Sequence, residues 1–338
     1  MVGNLKKVSK GLVLALCSTL ILASCSPASK DNSVAPKDGA KQIGIIQHLQ
    51  HPALDSANKG FIKALEDKGY KDGDKIKLIQ KNAQGEIVNN DPIAKKFTSD
   101  KVDLIYAIAT PSAQAALNST KEIPIVFTAV TDPVDAKLVK SLDKPETNAT
   151  GASDMAPIRD QLSIIKKIKP NAKKVGFLYN AGEANSVVQA KEAKKICAEF
   201  GYELIEQTIT TSNDAAQATD ILASKVDVIY VPTDNMVVSA GAVVAEKALA
   251  KKVPLISAEG SVVENGGLLS EGLDYFKLGY EAGLMAVDIL EGKSKPQDMP
   301  VKIANKFTLT VNKKTLEKIG MKLPKDLESK ATFVGGEK

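Results

Sequence analysis

Thr110, Asp132, Glu183 and Asp234 each fall just after a short apolar run and just before an amphipathic one. The apolar runs are residues 102–106, 125–127, 174–178 and 226–230, rich in Val, Ile, Phe and Tyr. A carboxylate in such a place can hold an ammonium. A hydroxyl, or the backbone N–H groups of a helix start, can hold a carboxylate. Ser112, Asn185, Ser186 and Asn235 add hydroxyl and amide groups at the same points. All these residue types also cap helices without any ligand. The functional reading rests on their convergence at one edge, not on any single residue.

Other chemistries lack parts. There are two histidines, His48 and His51. A triad would need a nucleophile beside one of them, and there is no G-x-S-x-G elbow, so no enzyme is expected. The histidine spacing is conceivable for zinc, but no cysteine or third histidine assists, and neither metal nor other cofactor is expected. His51 precedes Pro52 in a turn, where it is structural or ligand-lining. The formal charge of +5 is spread along the chain, and Arg159 is the only arginine. Without guanidinium forks or a clustered basic segment, nucleic acid is not an expected partner. The same shortage means a bound carboxylate must rely on hydroxyls, N–H groups and helix N-termini.

The elements that position these residues come in duplicate. KVDLIY (101–106) and KVDVIY (225–230) match at five of six positions. IGIIQHLQ (43–50) echoes VGFLYNAG (175–182), and Gly44/Gly176 and Gly69/Gly201 share one offset of 132 residues. IPIVFTAVTDPV (123–134) pairs with VPLISAEGSVVE (253–264). Three pairs in one order argue for two halves of one design. In the first half, strands are expected at 43–46, 76–80, 102–106 and 125–127, and helices at 55–68, 90–98, 111–119 and 133–141. In the second, strands are expected at 174–178, 203–207, 226–230 and 255–257, and helices at 184–200, 214–223 and 235–250. Continuously apolar strands alternating with helices predict an α/β fold of two doubly wound, Rossmann-like parallel-sheet lobes. Ligands bind such sheets outside the carboxyl ends of the strands. Two lobes facing each other there would enclose a cleft.

Residues 1–24 read as a secretion signal. Lys6, Lys7 and Lys10 precede the apolar run 11–22, which is too short for a typical membrane span. LASC (22–25) resembles a bacterial lipobox, which implies acylation of Cys25. Residues 25–40 have almost no bulky apolar side chain and read as a flexible tether. Of the three cysteines, Cys197 alone remains for the folded part, so no internal disulfide is available.

Lipobox, tether and two matched α/β lobes resemble a bacterial ABC-transporter substrate-binding lipoprotein of the periplasmic-binding-protein type I class. QHPALD (50–55), IATPSAQ (108–114), TDP (131–133), GASD (151–154), GEANS (182–186) and PTDN (232–235) look like the family associated with tryptophan, tyrosine or phenylalanine uptake. The resemblance implies three hinge crossings, near 149–154, 269–274 and 303–309. Lobe 1 would comprise residues 41–150 with 272–303, and lobe 2 residues 151–271 with 304–338. It implies capture of an amino acid by lobe closure and delivery to an ABC permease with its ATPase. The protein would be a monomer on the outer face of the cytoplasmic membrane, held only by lipidated Cys25.

The candidate ligand set is Gln47, His51, Thr110, Ser112, Thr131, Asp132, Ser153, Asp154, Tyr179, Glu183, Asn185, Ser186, Asp234, Asn235 and Glu259. Asp234 is the first choice for the ammonium and Asp154 the second. Phe127, Tyr179 and Tyr275 are candidate flat walls. A surface-exposed adhesin role, alone or in addition, stays open. So does another small solute such as a sugar, although the chain has no tryptophan for stacking.

Overall fold

The computed structural model describes residues 39–336. The signal, Cys25 and nearly all of the tether lie outside the described residues. The first half runs β1 (Lys41–Gln47), α1 (Pro52–Asp67), β2 (Ile76–Asn82), α2 (Ile87–Ser99), β3 (Leu104–Ile108), α3 (Thr110–Ser119), β4 (Ile125–Val130) and β5 (Ala149–Ser153). Then come α4 (Ile158–Ile168), β6 (Lys174–Asn180), α5 (Ala184–Phe200), β7 (Glu203–Ile209), α6 (Ala215–Ala223) and β8 (Val228–Val231). They are followed by α7 (Asn235–Ser239), α8 (Gly241–Ala250), β9 (Leu255–Ser257), α9 (Gly260–Glu264) and β10 (Leu269–Gly272). The chain ends with α10 (Tyr275–Leu290), β11 (Lys302–Ile303), β12 (Thr308–Asn312), α11 (Lys313–Ile319), α12 (Lys325–Glu328) and β13 (Thr332–Val334).

One sheet has the order β11-β5-β4-β3-β1-β2, the other β13-β12-β10-β9-β8-β6-β7. Read from the outer strand inward, β2-β1-β3-β4-β5 and β7-β6-β8-β9-β10 are the same winding. The sequence duplication is thus a duplication of topology. All pairings are parallel except β10 with β12. The paired glycines have a shared steric cause. A Cβ on Gly44 would stand 2.7 Å from the Phe97 ring, and one on Gly176 2.7 Å from Leu222 Cγ. In each lobe the bare strand lets the second helix lie close on the sheet. Apolar clusters cover both faces of both sheets, as the fully buried β3, β4 and β8 require.

The chain passes between the sheets three times. It leaves β5 for α4, leaves β10 for α10, and leaves β11 for β12. After the second passage α10 returns to the first sheet and packs along α1. Small residues permit this approach: a Cβ on Gly279 would meet the Ala57 carbonyl oxygen at 1.9 Å, and one on Gly60 the Phe276 carbonyl oxygen at 2.0 Å. Gly279→Val should therefore lower stability by about 3 kcal/mol or more, since the clash is with backbone and not with a yielding side chain. Thermal denaturation reads this directly. An unchanged melting temperature would mean the two helices do not pack this closely.

Two expected helices differ. No helix forms over 133–141: residues 133–137 make a turn and 138–141 are irregular. Asp132 Oδ1 accepts from the N–H groups of Val134 and Asp135, but Lys137 takes a positive φ of 59° and ends the turn. The helix expected over 235–250 is two, α7 and α8. Ala240 sits between them at φ −92°, ψ 12°, outside helical geometry.

Candidate functional site

The carboxyl ends of both sheets face each other, and polar residues gather there under burial. His51 N-caps α1, Thr110 opens α3, and Thr131 and Asp154 follow β4 and β5. From the other lobe come Glu183 and Asn185 at the start of α5, Thr233 and Asp234 before α7, and Glu259 before α9. All are buried. The lobes touch through polar contacts: Thr131 Oγ1 to Thr233 Oγ1 at 3.0 Å, and His51 Nε2 to Asn235 Oδ1 at 3.4 Å.

The four buried carboxylates differ in their partners. Glu183 accepts from the backbone N–H groups of Asn235 (3.3 Å) and Met236 (3.2 Å) and from the amides of Asn185 and Asn235. Asp234 accepts from Val237 N at 2.8 Å, Asn180 N at 2.6 Å and Ser186 Oγ at 2.6 Å. Both staple the start of α7 to the β6–α5 loop. Asp234, expected to hold the ligand ammonium, is thus engaged inside its own lobe as a cap and a loop anchor.

Asp154 and Glu259 are donor-poor. Tyr275, the first residue of α10, lies with its hydroxyl 2.8 Å from Asp154 Oδ2 and 3.3 Å from Glu259 Oε1. That hydroxyl has one hydrogen and can donate to only one of the two. Thr131 Oγ1 adds one weak bond to Asp154 at 3.3 Å. Glu259 Oε2 finds no protein partner. Burial pushes the Asp154 carboxyl up to about 6, against the pull of its Tyr275 and Thr131 bonds. Burial, then the neighbouring Asp154 charge, pushes Glu259 well above the usual carboxylate range. Burial and the two carboxylates likewise raise the Tyr275 hydroxyl, which stays protonated. A buried carboxylate pair short of donors is the electrostatic complement of a cation. Among the described residues no three His, Cys, Asp or Glu converge as a metal ion requires. A primary ammonium, with three donors, fits what the pair lacks.

Thr110 Oγ1, Asn185 Oδ1 and His51 Nδ1 are also buried without a protein partner. The remaining candidates are internally engaged. Gln47 bonds Asp55 Oδ1 at 2.7 Å, Ser112 bonds Asn90 Oδ1 at 2.8 Å, and Ser153 bonds the Thr131 carbonyl at 2.8 Å. Three expectations are corrected. Tyr179 packs into the core of its own lobe and sends its hydroxyl 2.8 Å to Glu206, because its strand position points it away from the cleft. Asp132 is half-buried and caps the turn after it. Phe127 is core, at the center of a cluster behind the sheet. The sequence reading assigned no role to Thr233 and gave Tyr275 only that of a wall. The signal for Tyr275 was available: it is the first helical residue after an expected hinge crossing.

A surface depression of about 830 Å³ lies elsewhere, lined by Leu117, Lys121, Lys137, Lys140 and Gln297 on the first lobe. Its lysines are exposed, and it holds none of the partnerless buried groups.

Residues 42–334 match the family described as ABC transporter substrate binding protein. A tyrosine-binding protein of Clostridioides difficile (strain R20291) is 46% identical over 94% of this chain and 93% of its own length. A Streptococcus pneumonia ABC domain solved in complex with L-Trp is 35% identical, with a TM-score of 0.84 over 87% of this chain and 99% of that one. The ligand-free, open structure of a substrate binding protein with adhesive properties from Clostridium difficile is 46% identical, covering 88% and 100%. It superposes less well, with a TM-score of 0.67. In this chain the two lobes are joined by the hydrogen bonds Thr131–Thr233 and His51–Asn235. With a match that runs through both wound sheets and all three crossings between them, the chain belongs to the ABC transporter substrate binding proteins.

Proposed function

We propose that this chain captures an aromatic amino acid in the cleft by lobe closure and hands it to an ABC permease and its ATPase. The ligand ammonium sits against Asp154, Glu259 and the Tyr275 oxygen. The ligand carboxylate faces the hydroxyl of Thr110 and the N-terminal turn of α3, with Asn185 Oδ1 opposite as an acceptor for a further ligand N–H or O–H. The observation that carries this reading is the Asp154–Tyr275–Glu259 trio. It joins residues from both lobes around a missing positive charge. The tyrosine-binding and L-Trp-bound relatives support the aromatic class. The two lobes would move as two bodies about the three crossings; because β5 pairs with β4 and β11, the first lobe runs on through Asp154 and does not stop at residue 150. Residues 1–24 would direct export, and a lipid on Cys25 would hold the protein at the outer face of the cytoplasmic membrane. The protein makes and breaks no bonds in this role.

A thermal-shift panel of amino acids against sugars tests the reading. Tyrosine, tryptophan or phenylalanine should raise the melting temperature, by mass action on the closed form. Stabilisation by sugars alone would sink it. Adhesion is a second reading, favoured by the adhesive relative that is 46% identical. Binding of soluble protein to host cells, with and without saturating amino acid, tests it.

A further inference from the structure

Among the described residues, every buried charged side chain in the cleft is an acid. Asp154, Glu183, Asp234 and Glu259 are buried, while no lysine or arginine is. Arg159, the sole guanidinium, is half-exposed and pairs with Glu199 at 2.7 Å. The two cleft histidines are no substitute, because burial lowers both His48 and His51 to about 4 and leaves them neutral. On the anion side the donors are neutral, and Pro111, second in α3, removes one N–H from the turn that would hold a carboxylate. The two ends of a zwitterion are therefore treated unequally. Its ammonium meets opposite charge in a dry site, and its carboxylate meets only dipoles beside a net negative field.

We propose that a primary ammonium on an aromatic side chain defines the ligand class of this cleft, with the α-carboxylate dispensable, so that aromatic monoamines and amino-acid amides are also ligands. This rests on the assignment of the ammonium to the trio above. Removing the ligand carboxylate loses the bonds that neutral donors, the Thr110 hydroxyl and the first turn of α3, make to a charged acceptor, which weakens binding by about tenfold to a hundredfold. Removing the ammonium leaves two buried carboxylates facing an anion. That loss runs from roughly 30-fold to several thousand-fold.

The test is calorimetric titration of the purified protein with L-tyrosine, tyramine, L-tyrosinamide and 3-(4-hydroxyphenyl)propionate. The amide, which keeps a carbonyl acceptor, should stay within about tenfold of tyrosine and tyramine within about a hundredfold, while the propionate should bind more weakly than either. Should the propionate bind as well as tyramine, or better, the proposal is overturned. If tyrosine gives no heat but the amines bind, the amino-acid reading fails and this one stands. If neither set binds, both fall. Glu259→Gln keeps the side-chain shape but cannot carry a charge, so it should weaken tyramine by roughly 30-fold or more while the melting temperature without ligand stays the same or rises. Equal tyramine affinity in that variant also overturns the proposal.

Discussion

Asp154→Asn should bind L-tyrosine roughly 30-fold to several thousand-fold more weakly than the unaltered protein, while its melting temperature without ligand stays the same or rises. The affinity range follows from removing one partner of a desolvated charge pair, about 2–5 kcal/mol. The stability follows from the same burial viewed without ligand. Asp154 is 3% exposed and short of donors, so its charge is a cost that an amide avoids. Asparagine still offers an oxygen to the Tyr275 hydroxyl, so that bond within the first lobe survives, and the Tyr275–Glu259 contact across the cleft is untouched. Asp234→Asn should behave in the opposite way. Its two oxygens accept three hydrogen bonds from Val237 N, Asn180 N and Ser186 Oγ. An amide nitrogen in place of one oxygen confronts Asn180 N or Val237 N with a donor. Stability should fall by about 1–3 kcal/mol, the cost of an unsatisfied buried donor. Affinity should change less than in Asp154→Asn. Calorimetry and thermal denaturation on both variants separate the two roles. If Asp234→Asn is the variant that loses affinity and keeps stability, the ammonium belongs with Asp234 after all.

That exchange of roles marks where sequence reading stops. The two lobes were legible because the winding repeats. The spacing of Gly44 and Gly176, and the recurrence of KVD-x-IY, carry the same steric and topological demands in each half. The edge that holds the site was legible for the same reason, since wound sheets put their helix starts at one end. Which carboxylate is free was not legible. Asp234 follows its strand as a cap should and is consumed as one. Asp154 and Glu259 look no different in sequence, yet only the fold brings Tyr275 between them from 121 and 16 residues away. Tyr179 failed for a simpler reason. Strand residues alternate in facing, and a one-residue uncertainty at a strand end turns a side chain from cleft to core. The turn at 133–137 shows the same limit: Asp-Pro announces a helix start, but the positive φ at Lys137 that ends it has no local sequence cue.

Acid alone should close the ligand-free protein. In the closed form Asp154 is raised to about 6 by burial, and Glu259 higher by burial and by the charge of Asp154. Glu259 also faces Asp234 and Glu183, whose charges push it the same way, and Tyr275, whose hydrogen bond pulls it down. In an open form these groups meet water and return toward ordinary carboxylate values. Closing then takes up protons. A carboxyl whose closed-state value is raised favours closure fully below its open-state value. The contribution is lost as pH climbs through about 6 for Asp154, and through a higher value for Glu259. For Asp154 alone the raise is on the order of 3 kcal/mol, roughly a hundredfold in the closing equilibrium. The ligand ammonium and the proton thus do the same electrostatic work and compete for one place. Small-angle scattering should show the radius of gyration falling as ligand-free protein is taken from pH 8 to pH 5. With saturating tyrosine the protein should be compact across that range, and its affinity should decline toward pH 5. Glu259→Gln, neutral at every pH, should already be more compact at pH 8 without ligand. A ligand-free radius that stays constant from pH 8 to pH 5, in a protein that tyrosine compacts at pH 8, would show that the trio does not govern closure.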